Sequence, residues 1–214
     1  MVQAAPNQPV RDGKPVSFIL NIQGGDQRSQ PNIVWSTTAG AIAQGQYTRK
    51  IDVDTTGAGA SYDRTIKADV WVGGYAPECV LQGSASVKVI PPASKFGEFG
   101  EVPQQQVTFN LKTLTQALAE SQDNLFIIGY AGRKSERNFT LNWLRRLKDE
   151  LVIDGVDARR VNAMDGGFRE DPAFEFWIVP QGAELPRPTP TVRRDEIVYP
   201  KIAPTTLPTK KPGG

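Results

Sequence analysis

The side chains that could do chemistry in this chain are few. Four carboxylates, Asp165, Glu170, Asp171 and Glu175, stand close together near a pair of glycines, and paired carboxylates can cleave glycosidic bonds. Their blander reading is a solvated loop and strand edge. Asp52, Asp54 and Asp63 offer hard oxygen ligands, but no glycine-hinged loop spaces them for calcium; strand-end aspartates facing water are the simpler expectation. Cys79 is the single cysteine, so no disulfide framework or thiolate zinc cluster can form within the chain. It is a candidate reactive thiol or a small buried hydrophobe. Histidine is absent, which removes the usual general base and the commonest metal ligand. No nucleophile–base pair is spelled out, so a non-enzyme is expected, with no cofactor and no metal.

The elements that would position these groups fall into two styles. From Val16 to Ile90 the apolar residues alternate with a period of two. Val16, Phe18, Leu20 and Ile22 form one set, Tyr47, Arg49, Ile51 and Val53 another, Ile66, Ala68, Val70 and Val72 a third, and Val87 with Val89 closes the series. Glycine-bearing breaks at Asp12-Gly13, Gly24-Gly25-Asp26, Gly57-Ala58-Gly59 and Gly73-Gly74 separate them. Short strands of this kind predict an all-β sandwich over residues 1–92, with Trp35 as its core aromatic.

The paired prolines Pro91-Pro92 mark a boundary, and residues 93–102 read as linker and first strand. Over 103–182 the period changes. Pro103 suits a first helical turn, and Val107, Leu111, Leu114 and Leu118 predict a helix to about Glu120. Leu125-Phe126-Ile127-Ile128 predicts a strand entering a turn at Gly129-Tyr130-Ala131-Gly132. Leu141, Leu144, Leu147 and Leu151 predict a second helix packed through leucines, with Asn138 as N-cap and Gly155 just past its end. A strand to Gly166-Gly167 and a last strand at Phe174–Val179 complete β-α-β-α-β-β. Residues 183–214 carry prolines throughout and a mild excess of Arg and Lys, which predicts an extended, polyproline-like tail. Its one apolar island, Glu196-Ile197-Val198-Tyr199, could add as an edge strand to a partner.

The series Gly129-Tyr130-Ala131-Gly132, Asn138, Leu141, Arg145, Gly155 to Val161, Gly166-Gly167 and Pro172 resembles the OmpA-like, peptidoglycan-associated domain over about 50 residues. That resemblance implies a wall-binding α/β fold in which an aspartate and an arginine grip the diaminopimelate of the peptide stem. The arginine falls on Arg145, but the aspartate position is Gly132, and Asn142 and Arg146 replace the family's Ser and Ala. A ligand bearing both signs of charge needs both partners, so peptidoglycan binding is expected to be weakened or lost. Arg145 alone reads more simply as a solvated helix-face cation. Similarly, Pro31–Gly40 with Ile51-Asp52-Val53-Asp54-Thr55 resembles bacterial Ig-like or PKD-type repeats, implying a non-catalytic spacer or adhesion module.

A net charge of +2 argues against nucleic acid as a partner. The first residues, Met1 to Pro6, carry neither a charged nor an apolar leader region, and no stretch is long and apolar enough to span a membrane. The resemblances imply an exported protein, periplasmic or at the cell surface, whose partners are other envelope or surface proteins or further copies of itself. The competing expectation is a subunit of a larger assembly, held by the tail or by the N-terminal arm from Val2 to Val10.

Overall fold

A computed structural model describes residues 1–24, 30–61, 63–76, 82–100 and 104–200, with side chains in the first helix only from Leu111. Cys79, Pro103, the side chain of Val107, the Gly25-Asp26 part of one predicted turn and the tail beyond Pro200 lie outside the described residues. The chain is rich in β-structure and divides into two compact units. The first comprises residues 1–94, 122–124 and 178–186; the second comprises 95–121, 125–177 and the chain from Arg187.

In the first unit, β1 (Val2–Ala5), β3 (Val16–Leu20), β5 (Ala41–Gln44) and β6 (Lys50–Asp54) form a sheet in the order β1-β3-β6-β5. β2 (Val10–Arg11), β4 (Asn32–Thr37), β7 (Thr65–Gly73) and β8 (Gln82–Ile90) form another, ordered β2-β8-β7-β4. Alternation decides the faces, because successive strand residues point to opposite sides. Val16, Phe18 and Leu20, Ile51 and Val53, and Ile66, Ala68, Val70 and Val72 all point inward. They meet Trp35 in one continuous apolar core, and the unit is sandwich-like.

Two expectations change here. Tyr47 and Arg49 are not strand residues: residues 45–48 form a turn, with Gly45 at φ +87°, and Tyr47 is exposed. The Trp35 indole explains the detour, donating from Nε1 to the Thr48 carbonyl at 2.9 Å while the Gln46 amide donates to the Trp35 carbonyl at 2.8 Å. The N-terminal arm is also not free. Val2–Ala5 pairs antiparallel with β3, Val10–Arg11 runs parallel to β8, and Val2 and Val10 are buried. Neither piece alternates long enough to read as a strand in isolation.

The second unit runs β9 (Ser94–Phe99), α1 (Gln104–Ala119), β10 (Asn124–Gly132), α2 (Phe139–Ile153), β11 (Val161–Arg169) and β12 (Ala173–Val179), with sheet order β11-β10-β12-β9. β10 and β11 are parallel, as a strand–helix–strand crossover requires. Leu111, Leu114 and Leu118 of α1 are buried. On α2 the buried line is Thr140, Leu144, Leu147 and Leu151, whereas Leu141 is exposed. One residue is about 100° of helical turn, which carries Leu141 off the packed face. At the helix end Gly155 sits at φ +98°; its N–H reaches the Val152 carbonyl and the Val156 N–H reaches Leu151. That is a Schellman ending, with Leu151 and Val156 both buried as its apolar clasp.

Neither glycine pair is the turn it resembles. β10 continues through Gly129–Gly132 and β11 through Gly166-Gly167, with an irregularity where Gly129–Ala131 faces Asp165–Phe168. Size explains the glycines. A Cβ on Gly166 would lie 2.6 Å from the Tyr130 ring and from the Ile128 side chain; one on Gly129 would meet Thr140 of α2 at 2.7 Å.

Candidate functional site

Three elements of the second unit converge at the start of α2: the end of β10, the bulged part of β11, and the chain from Arg187 to Tyr199. They leave two open grooves that share Glu136 and Phe139. One, of about 540 Å³, includes Ala131, Asn138, Asp165, Phe168 and Tyr199 in its walls. The other, of about 800 Å³, is walled by Gly132, Arg133, Ser135, Trp143, Glu170 and Pro172. Phe139, Trp143 and Phe174 stack as tilted rings beneath them, with centroids about 6 Å apart.

The residues suggested by the sequence are dispersed over this region. Gly132 lines the larger groove, and its N–H donates to the Ser135 hydroxyl at 2.8 Å. A Cβ there would come within 2.7 Å of Cδ and 2.9 Å of N of Pro172. The place where a side chain would begin is therefore filled by the backbone of the β11–β12 connection. Asn138 lines the smaller groove in a left-handed conformation, φ 62°. It stands at the expected N-cap position and its carbonyl accepts from the Asn142 N–H, but its side chain makes no capping hydrogen bond. The left-handed backbone does not follow the extended geometry of an ordinary cap residue. Arg145 is exposed on α2 and lines neither groove.

The apolar island of the tail is tied to its own unit. Thr191 and Val192 donate their N–H groups to the Phe168 carbonyl at 3.0 and 3.1 Å, forming an antiparallel bridge, and Val192 is buried. A short 3-10 turn, Arg194–Glu196, follows. Glu196 meets Arg133 at 3.0 Å, the Val198 N–H reaches the Arg133 carbonyl at 3.4 Å, and Arg137 lies 5.0 Å from the Tyr199 ring centre. Ile197 is half-buried and Val198 is 73% exposed. Glu196 to Tyr199 thus forms no strand.

The carboxylates of the sequence expectation are spoken for. Glu170 takes both bonds of the Arg133 fork, at 2.7 and 2.9 Å, and its carboxyl is held below the usual range, first by that hydrogen bonding. Glu175 does not solvate a strand edge, because it is buried. It accepts from Arg169 at 2.7 Å, Lys95 at 3.0 Å, the Trp177 indole at 3.1 Å and the Tyr130 hydroxyl at 3.3 Å. Burial pushes its carboxyl up, and these bonds outweigh burial and bring it below the ordinary glutamate value. Arg169 also grips Glu98 at 2.7 Å, lies 3.7 Å over the Tyr130 ring, and donates to Thr189 of the tail at 2.7 Å. The Thr189 N–H donates to the Tyr130 hydroxyl at 3.0 Å.

This polar network, centred on buried Glu175 and Tyr130, spans all four strands of the sheet. It is the largest feature that sequence reading misses, since its members lie scattered from Lys95 to Thr189. The only signal was the alternation Phe174-Glu175-Phe176, which turns Glu175 away from its aromatic neighbours.

In the first unit, Asp52 accepts from Ser17 at 2.5 Å and from Gln44 and Lys50. Asp54 accepts from Thr56, and Asp63 from the Thr65 N–H at 3.1 Å. The three carboxylates each serve a local turn or strand pair. Among the described residues no cluster of three or more acidic, Cys or His side chains could hold a metal, and no helix is long and apolar enough to cross a membrane. No protein-family model matches the chain, and no curated protein matches it.

Proposed function

We propose that this chain is a non-catalytic binding and spacing module of the bacterial envelope or cell surface. In this reading the first unit is an Ig-like or PKD-type sandwich, and the second is an OmpA-like domain that no longer grips peptidoglycan. The supporting observation is local. The β-α-β-α-β-β order and glycine pattern are kept, yet Pro172 occupies the space into which an acidic side chain at position 132 would project. Arg145, the cation of the resemblance, lies outside both grooves. A diaminopimelate held by two opposite charges then finds neither one presented. The tail fits the same reading, because it closes on its own unit through Phe168 and Arg133.

Co-sedimentation of the full chain with purified peptidoglycan sacculi tests the proposal. The expected result is little or no pelleted protein, identical for wild type and Arg145→Ala. Strong pelleting that disappears in Arg145→Ala would overturn it.

A further inference from the structure

We infer that the outward face of the β2-β8-β7-β4 sheet is a docking platform for an uncharged oligosaccharide, with Trp71 as its stacking residue and linear hexose chains as its probes. This inference concerns the first unit alone and does not rest on the reading of the second.

A sheet face turned to water is ordinarily polar along its whole length. Here the inward residues of β4 and β7 are buried, and outward Ser36, Lys67, Asp69, Ser84 and Ser86 follow the rule. Trp71 and Val34 break it. They are register partners, 48% and 40% exposed, so they lie side by side at one end of the face. The neighbouring rows pair Trp71 with Gln82, then Ser36 with Asp69 and Ser84, then Lys67 with Ser86. One indole plane is therefore flanked by a grid of hydroxyl, amide and carboxylate groups.

Sugar rings have the complementary chemistry: a flat C–H face that stacks on an aromatic ring and a rim of hydroxyls that both donate and accept. Lys67 and Asp69 neutralise one another at 2.8 Å, so these rows present hydrogen-bonding groups with little net field. That charge balance over the rows from Trp71 to Lys67 fits an uncharged chain, and the next row adds the exposed Lys88 opposite Thr65. A protein partner fits less well, because protein interfaces centre on a contiguous apolar patch depleted of charge. From Trp71 to Lys67 the strand runs about 13 Å, longer than a single hexose, so the occupant is an oligosaccharide. Val34 and Trp71 are also good strand formers, and the rival role is simple cross-strand support.

Calorimetric titration of the full chain with chitohexaose and cellohexaose decides the matter. Saturable binding of at least one is expected. Trp71→Ala should weaken it at least tenfold without moving the thermal midpoint, Trp71→Phe should retain most of it, and Asp69→Asn should weaken it severalfold. Absence of saturable heat with both sugars overturns the inference, as does equal binding by Trp71→Ala. A Trp71→Ala chain that instead changes its sedimentation or its stability alone assigns the pair to a protein contact or to strand support, and also overturns it.

Discussion

Gly132 is a glycine with a structural cause. An aspartate there would drive its Cβ against the nitrogen of Pro172, an atom that moves only with the backbone. Gly132→Asp should therefore lower stability by about 1–3 kcal/mol, the usual range for overpacking, and confer no binding to sacculi. Urea denaturation and co-sedimentation of the same variant check both halves. Asp52 carries a different prediction. The Ser17 hydroxyl, helped by Gln44 and Lys50, lowers its carboxyl to about 2. A depressed folded value means the stabilisation is present above the ordinary aspartate range and is lost as pH falls toward 2. Asp52→Asn should flatten that part of the stability–pH curve, read from thermal melts between pH 5 and pH 2.

At the level of elements, the sequence was most informative where a repeat is long. The leucines of α1 and the alternation of β3 and β7 suffice because each residue repeats the same geometric vote. Local pattern failed where one neighbour decides. Gly129 and Gly166 look like turn residues, but they are strand positions kept small for Thr140 and Tyr130, which lie far away in the chain or on another element. The exposed Leu141 shares the three- and four-residue spacing of the packed leucines, and spacing alone does not say where the stripe begins. Truncation separates them. Leu144→Ala should cost about 2–5 kcal/mol, while Leu141→Ala should fall within about 0.5 kcal/mol of wild type. Guanidinium unfolding midpoints measure both. The candidate site was legible only as a location: the start of α2 was marked by Gly132 and Asn138, but the Glu175–Arg169–Lys95 network was not. Four strands and a tail contribute to it, and no window of sequence contains them.

At the level of the molecule, the two compact units differ in what sustains them. The first has one apolar core of alternating strand residues and one buried carboxylate, Asp123, which accepts both bonds of the Arg64 fork at 3.0 Å. The second gathers several cations and donors on one buried carboxylate, Glu175, bound by Arg169 and Lys95, with Thr189 of the tail bonded to Arg169 and Tyr130. Composition foresaw a proline tail without foreseeing its attachment, since proline prevents regular structure yet leaves carbonyls, neighbouring N–H groups and side chains able to bond elsewhere. The attachment from Thr189 to Tyr199 uses main-chain bonds to Phe168 and Arg133 together with the Glu196 ion pair. Such a segment does not need to be covalently continuous with the sheet it seals. A gene split between Pro186 and Arg187 should yield two polypeptides that reassemble when co-expressed, and raising the salt concentration should loosen their association as the Arg133–Glu196 contact is screened.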